Sequence, residues 1–264
     1  MYDFDYLRAS SVTEAVAAVG GTDNGRFLAG GMTLVPALKQ RLASPSLLVD
    51  LRDIEHLRGL TIDGTSLDVG AMTTHAAVEE SVEVGRAVPV LAALAATIGD
   101  PQVRNRGTIG GSIANNDPAA DYPAAALGLG ATIITDRRGI TSDTFFAGMF
   151  DTALQPNELI IAVNFPIPHR AGYAKFRQPA SRYALVAVLV ACTSAGVRVA
   201  VTGASPCVFR HIAMEEALEE NFSPRALNNI DIDAAELISD MHGSSAYRAH
   251  LVRVLAQRAV AAAR

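Results

Sequence analysis

The first 168 residues alternate between segments with apolar positions at helical spacing and short apolar runs. A spacing of three and four residues predicts amphipathic helices, whereas short runs bounded by Gly, Pro, Asn or Asp predict strands. Asp63-Gly64, which lies between two such runs, is a hairpin signal. The pattern predicts an α/β arrangement. We expect helices over 12–19, 34–42, 74–80, 88–98 and 121–129, a helical turn over 54–57, and strands over 26–28, 46–50, 60–62, 67–70, 131–136 and 159–165.

The run Pro166-Ile167-Pro168-His169 is the best candidate for a domain boundary, because proline disrupts both helices and ladder pairing. After this run the order changes, and strands come first with helices behind them. This order is typical of an α+β domain. We expect strands over 172–176, 184–195 and 197–202, and helices over 212–219, 233–238 and 246–263.

The composition indicates a packed protein without a nucleic-acid or membrane partner. The length of 264 residues suits two domains, and half of the residues are hydrophobic. The net charge of −5 and the lack of basic blocks argue against nucleic acid. No apolar run reaches membrane-spanning length, and the first residues lack the features of a signal peptide. We therefore expect a cytoplasmic protein that does not insert into a membrane.

The residues that usually carry metal or nucleophile chemistry are sparse. The chain has two cysteines, Cys192 and Cys207, whereas an iron–sulfur cluster normally takes four thiolates. The six histidines show no pair at metal-ligand spacing, and there is no G-x-S-x-G elbow. We expect no metal site in this chain, and the sequence shows no constellation of a nucleophile and a base.

Two diglycine segments are the candidates for chemistry. Ala29-Gly30-Gly31-Met32-Thr33 lies between a predicted strand and a predicted helix, and Thr108-Ile109-Gly110-Gly111-Ser112 opens a predicted Gly-rich loop over 108–114. Glycine permits close approach to a ligand, and successive free N–H groups form an anion nest. The helix after Gly31 would add the positive end of its dipole. We expect the two segments to hold a pyrophosphate, with the Asp121 carboxylate accepting from a sugar hydroxyl.

Each diglycine segment also has a simpler interpretation as a tight turn. The established phosphate-binding patterns do not fit, because the chain contains neither G-x-G-x-x-G nor G-x-x-x-x-G-K-[ST]. From the residues alone, the prediction stops at an anionic-cofactor site.

The two segments resemble the signatures A-G-G-x-S/T and T-I-G-G-N/D/S of the flavoprotein subunits of molybdenum hydroxylases. This family includes the medium subunits of carbon monoxide dehydrogenase and of N-heterocycle hydroxylases, and the flavin domain of xanthine dehydrogenase. The stretches 70–74, 102–107 and 247–251 are also similar to the family, so the resemblance covers almost the whole chain. The chain departs from the family at Met32, where a more polar residue is common, and at Ser112, where many relatives carry Asn or Asp.

The resemblance implies an FAD-binding domain of the vanillyl-alcohol-oxidase (PCMH) type over 1–168, built from two α/β subdomains over about 1–57 and 58–168. A small α+β domain would follow over 169–264. The implied cofactor-binding residues are Leu28, Ala29, Gly30, Gly31, Met32, Thr33, Leu34, Val35, Ile98, Thr108, Ile109, Gly110, Gly111, Ser112, Asp121, Leu154, Lys175 and Tyr183.

Four of these residues have simpler alternatives. Ile98 and Leu154 would otherwise be ordinary core residues. Lys175 would otherwise be a solvated surface charge, and Tyr183 a half-buried packing residue.

The resemblance also implies a function. The chain would be the FAD-binding electron-transfer subunit of a heteromeric molybdenum hydroxylase or dehydrogenase. Electrons would come from 2Fe–2S clusters in a small subunit, after oxidation of a substrate at a molybdopterin cofactor in a large subunit, and would leave for an external acceptor. A dimer of heterotrimers is expected. Two alternatives stay open: a stand-alone flavin oxidase of the same fold, and a non-enzymatic relative that has lost FAD.

Overall fold

The computed structural model describes residues 1–264 and begins with a small parallel sheet in the strand order β1-β3-β2. Parallel strands need crossover connections, and two helices supply them. Ser11 caps the first helix, because its hydroxyl accepts a hydrogen bond from the Glu14 N–H at 3.1 Å. A 3-10 turn over Glu55–Leu57 follows the sheet. In chain order the elements are β1 (Asp5–Arg8), α1 (Val12–Gly20), β2 (Gly25–Leu28), α2 (Leu34–Lys39) and β3 (Leu47–Asp50).

The second part is an antiparallel sheet of five strands in the order β4-β5-β10-β6-β7. Its strand β10 comes last in the chain but pairs in the middle, so residues 160–166 complete the sheet. The strands are β4 (Leu60–Asp63), β5 (Ser66–Gly70), β6 (Thr132–Thr135), β7 (Gly139–Thr141) and β10 (Ile160–Pro166); between β5 and β10 lie α3 (His75–Glu80), α4 (Val82–Ala87), α5 (Pro89–Ala95), α6 (Pro101–Arg106), α7 (Ile109–Asn115), α8 (Tyr122–Leu129), α9 (Ser142–Phe145) and the hairpin β8 (Phe146–Gly148) and β9 (Asp151–Thr152).

The third part is an antiparallel sheet in the order β11-β12-β13-β14, followed by helices. A 3-10 turn over Pro224–Leu227 separates the two helices. The elements are β11 (Arg170–Arg177), β12 (Ala184–Thr193), β13 (Gly196–Thr202), β14 (Phe209–Arg210), α10 (Ile212–Glu220) and α11 (Ser245–Ala262).

Helix α8 joins the second part to the third. All eight of its residues are buried, because it packs between β10 and the strands β12 and β13. The other face of the third sheet is covered by α10 and α11. Since β12 is covered on both faces, its first eight residues are all buried and form one apolar run instead of an alternating pattern.

Most predicted elements are confirmed to within three residues, but two predictions are wrong. Residues 233–238 form no helix, because the Asp231 and Asp233 side chains accept hydrogen bonds from neighbouring N–H groups, which compete with helical ones. Residues 108–114 are not a loop but belong mainly to α7, whose first turn is capped by Thr108. Short elements such as β1 and α6 were not predicted.

The three sheets lie within residues 5–50, 60–166 and 170–210. The domain limits at 57 and 168 remain predictions, since one core cluster combines residues from before and after position 168. None of the helices has the length and apolar character that a membrane crossing requires.

The contact between α8 and the third sheet generates a prediction about stability. A Cβ on Gly128 would lie 2.5 Å from Leu189 Cδ2 and 3.2 Å from Ala200 Cβ, whereas a Cβ on Gly85 in α4 would meet no atom within 4 Å. Gly128→Val is therefore expected to lower the free energy of unfolding by about 2 kcal/mol through overpacking. Gly85→Val, the matched control, should change it much less. Urea unfolding measures both, and equal effects of the two substitutions would contradict this packing.

Candidate functional site

A cleft of about 1040 Å³ lies between the first and second sheets and reaches the third part of the chain. This volume is at the upper end of the range for small-molecule sites, about 300–1,000 Å³. Its walls come from residues 22–34, the turn at 71–75, the segment 107–121 and the segments 152–160 and 181–183. Both diglycine segments therefore face one shared space.

The first diglycine needs glycine at both positions. Gly31 has φ +74°, a left-handed conformation that favours glycine. A Cβ on Gly30 would lie 2.0 Å from the Arg106 carbonyl oxygen and 2.9 Å from Gly107 Cα. The first diglycine segment thus touches the residues just before the second one through bare backbone. Ala29 extends this contact, because its Cβ would lie 3.6 Å from a Cβ on Gly111.

The same segment carries unpaired backbone donors. None of the six N–H groups from Ala29 to Leu34 donates a hydrogen bond within the chain. Such a run of free N–H groups on a concave surface is an anion nest. Helix α2 has only six residues, so its dipole contributes less than the sequence suggested. The loop's own amides therefore contribute to the positive part of the cleft, whose wall also contains Arg26 and Arg182.

The second diglycine segment does not present the free N–H groups that were predicted from the sequence. The Ile109 N–H donates to the Thr73 carbonyl at 3.1 Å, and the Gly110 N–H donates to the Ala71 carbonyl at 2.9 Å. The Gly111 N–H donates to the Thr108 hydroxyl at 3.2 Å. These amides are therefore satisfied inside the protein. The prediction that both segments present free N–H groups is wrong for the second one, in which Gly110 packs closely against Ala71.

Hydroxyl groups add neutral donors on both sides of the cleft. The side chains of Thr33 and Ser112 line it, and the structure shows no hydrogen bond from either hydroxyl to the chain. A hydroxyl both donates and accepts, so these two groups suit a phosphate or a sugar. Tyr183 also lines the cleft; burial and, to a smaller extent, Asp117 and Asp121 raise the pKa of its phenol, which keeps it a neutral donor.

Most of the predicted cofactor residues lie on the cleft surface, but four do not. Leu28 and Val35 pack beneath Gly31, since a Cβ there would meet their methyl groups at 3.2 and 3.0 Å. Ile109 is fully buried in the core. Lys175 lies behind Asp121, where its ammonium is buried, so it is neither a surface charge nor part of the cleft wall. The residues on the surface are Ala29, Gly30, Gly31, Met32, Thr33, Leu34, Ile98, Thr108, Gly110, Gly111, Ser112, Asp121, Leu154 and Tyr183.

Sequence reasoning missed His75, which packs against Gly107, just before the second diglycine segment. Its side chain lines the cleft, and a Cβ on Gly107 would lie 2.5 Å from its Nε2. Desolvation by burial and the nearby Arg104 charge lower its pKa from 6.5 to about 4, so the imidazole is neutral at pH 7. A single histidine after a helix cap belongs to no motif, so its place in the cleft wall could not be predicted from the sequence. No group of three His, Cys, Asp or Glu side chains is arranged to hold a metal ion.

These residues fit an anionic dinucleotide. The free amides suit a diphosphate, the hydroxyls suit a sugar, and apolar residues such as Ile98 and Leu154 suit aromatic rings. Because Gly30 packs against the Arg106 carbonyl without a side chain, this part of the cleft surface is bare backbone.

Comparisons with known proteins agree with this geometry. Residues 2–168 match the family model "FAD binding domain in molybdopterin dehydrogenase". The carbon monoxide dehydrogenase medium chain of Afipia carboxidovorans is 35% identical over 97% of this chain and 95% of that protein. The nicotine 6-hydroxylase medium subunit of Paenarthrobacter nicotinovorans is 34% identical with the same coverage of both. A chain in the crystal structure of the copper- and molybdenum-containing carbon monoxide dehydrogenase superposes with a TM-score of 0.91 at 32% identity, over 99% of this chain and 98% of that one. This likeness confirms the fold class expected from the sequence.

The contact between the diglycine segments gives the first prediction for the site. Gly30→Ala places a Cβ against the Arg106 carbonyl and forces the first segment away from residues 106 and 107, so the affinity for FAD is expected to fall at least about tenfold. Isothermal titration of the apoprotein with FAD measures this effect. Gly85→Ala, whose Cβ meets no atom, is the control. Unchanged FAD affinity in Gly30→Ala would show that this contact does not shape the site.

A second prediction follows from the lowered pKa of His75. Between pH 6.5 and 4 the unfolded chain takes up a proton on His75 that the folded chain does not. The contribution of His75 to the free energy of unfolding is therefore fully present above pH 6.5 and is lost as the pH falls towards 4. From pH 7 to pH 5 the natural chain should lose about 2 kcal/mol more than His75→Gln. Urea unfolding at both pH values tests this, with the exposed His56→Gln as control. Equal losses in the natural chain and in His75→Gln would contradict the buried, neutral imidazole.

Proposed function

Because the chain belongs to the family of FAD-binding domains of molybdopterin dehydrogenases, we propose that it is the electron-transfer subunit of a heteromeric molybdenum hydroxylase or dehydrogenase. In this role it stands between the 2Fe–2S clusters of a partner subunit and an external electron acceptor. The observation that carries the proposal is the run of six free amides, from Ala29 to Leu34, in a cleft large enough for a dinucleotide.

The chain's own residues have distinct tasks in binding. The amides of 29–34 and the hydroxyls of Thr33 and Ser112 would hold the FAD diphosphate. Gly30 and Gly31 keep this surface free of side chains. Ile98, Leu154 and Tyr183 would cover the ring systems and exclude water. FAD, when bound, supplies the chemistry: it takes up two electrons and releases them singly or as a pair. Because outer-sphere electron transfer needs no acid or base, we assign no catalytic residue.

The dependence on partners rests on cysteine content and on the relatives. Two cysteines are too few for a 2Fe–2S cluster with four thiolates, so such electrons would have to come from another polypeptide. Two close relatives are named as the medium chain or medium subunit of larger enzymes. The proposal therefore includes a small 2Fe–2S subunit, a large molybdopterin subunit, assembly as a dimer of heterotrimers and a cytoplasmic location. The substrate of the complex would be chosen in the large subunit.

The two alternatives predict different properties. A stand-alone flavin oxidase of this fold usually links its flavin to His or Cys, but His75 is the only such residue in the cleft wall and its side chain is buried. A relative that has lost FAD would have a blocked or filled cleft, whereas this cleft has about 1040 Å³ of space. Both observations favour the electron-transfer subunit.

The experiment that tests this function uses the isolated chain. The purified protein should carry FAD and be yellow, and dithionite should bleach it. Carbon monoxide, aldehydes, purines and N-heterocycles should not bleach it within minutes, because no molybdenum is present. Addition of matching small and large subunits should restore reduction by one of these substrates. Rapid bleaching of the isolated chain by an organic substrate would instead support the oxidase, and a colourless protein that does not take up FAD would support the non-enzymatic relative.

A further inference from the structure

Tyr173 and Lys175 belong to the third sheet, yet both side chains end at a carboxylate in the wall of the cleft. They lie two residues apart on β11, so they point to the same face of the strand. Lys175 Nζ lies 2.8 Å from Asp121 Oδ1 and 2.9 Å from Oδ2, and Tyr173 Oη donates a hydrogen bond to Oδ1. The Asp121 and Lys175 side chains are only 5% and 3% exposed. The third part of the chain therefore reaches into the site formed by the first two.

The hydrogen-bond inventory shows what is left for a ligand. Lys175 donates one hydrogen bond to Asp121 Oδ2 and one to the Thr97 carbonyl at 3.3 Å, and the ion pair also brings Nζ to 2.8 Å from Oδ1. A carboxylate accepts about four hydrogen bonds. Asp121 accepts one on Oδ1, from Tyr173, and one on Oδ2, from Lys175. A position for a further donor therefore remains on Oδ2.

The charge of the lysine matters because the expected ligand is an anion. A carboxylate that faces a diphosphate ester without compensation would repel it, and a buried unpaired charge is costly. The Lys175 ammonium balances the carboxylate from behind. The cleft wall then presents a hydrogen-bond acceptor without a net negative charge.

A lysine at position 175 is unusual in this chain, which contains two lysines and twenty arginines. The other lysine, Lys39, is exposed near the end of α2. An ammonium is a compact point charge, whereas a guanidinium is a wide planar fork with five donors. The small buried space between Asp121 and Thr97 suits the ammonium.

We propose that Tyr173 and Lys175 are positioning residues that hold the Asp121 carboxylate so that its free Oδ2 position accepts a hydroxyl of FAD, from either the ribityl chain or the ribose. The proposal rests on the proposed function, because this task exists only in a chain that binds FAD. It makes the third part of the chain a component of the flavin site, and FAD affinity then depends on how β11 packs against the FAD-binding part.

The test measures the affinity of the full-length apoprotein for FAD and for ADP by isothermal titration. Lys175→Met leaves Asp121 uncompensated, so FAD should bind at least about tenfold more weakly. Adding Asp121→Asn to Lys175→Met removes the bare charge and should recover a large part of this loss. If Lys175 only filled space, adding Asp121→Asn would not restore the affinity for FAD. Tyr173→Phe removes a single hydroxyl and should weaken FAD binding about three- to tenfold.

The controls and the second ligand complete the test. Lys39 is the only other lysine in the chain, and the Lys39→Met variant should bind FAD like the natural protein. ADP has the ribose but no ribityl chain, so a loss confined to FAD assigns the hydroxyl to the ribityl chain, and an equal loss for ADP assigns it to the ribose. If Lys175→Met proves unstable in thermal melting, the conservative Tyr173→Phe decides alone.

Two results would overturn the proposal: natural FAD affinity in both Lys175→Met and Tyr173→Phe, or a loss in Lys175→Met that Asp121→Asn does not reduce. A different result concerns the proposed function. If the natural chain binds neither FAD nor ADP, the chain is not an FAD-binding subunit, and the positioning role falls with it.

Discussion

Six consecutive backbone N–H groups without a partner are the constraint on which the cleft depends. A folded chain provides an acceptor for most of its backbone donors. It provides none for the donors from Ala29 to Leu34, and because this segment is partly exposed, these amides stay open to water or to a ligand. Gly31 adopts a left-handed conformation in this segment, and Gly30 packs against the Arg106 carbonyl just before the second diglycine segment. An anionic ligand satisfies all of these requirements together.

The rest of the fold supports this surface from behind. The second diglycine segment uses its amides to attach α7 to residues 71 and 73, so it forms a rigid wall opposite the first segment. Helix α8 follows that wall and is buried between two sheets. Asp121, just before α8, connects the wall to β11 through Lys175. The cleft is thus bounded by all three parts of the chain, although the family match ends at residue 168.

The sequence was informative where the determinant is local. Gly30 and Gly31 were identified from their position between a strand and a helix, and their conformations and contacts explain why no other residue fits. The fold class and the family followed from two motifs of five residues each. Helix and strand positions followed from apolar spacing, except over 233–238, where Asp side chains hold the backbone in turns.

The sequence was uninformative where the determinant is a contact between distant segments. The amides of Ile109 and Gly110 were expected to be free, but their acceptors are carbonyls on another turn that only the fold brings close. Lys175 was expected near the cofactor, but its position depends on how β11 packs against residues 97 and 121. His75 was missed because a single buried histidine has no periodic signature.

Residue-resolved amide hydrogen exchange of the apoprotein, measured by NMR with and without ADP, shows whether the amides of 29–34 bind the diphosphate. We expect fast exchange from Ala29 to Leu34 in the apoprotein and strong protection there when ADP is bound, while Ile109 and Gly110 are protected in both states. Protection that does not change over 29–34, together with new protection elsewhere in the cleft, would contradict it.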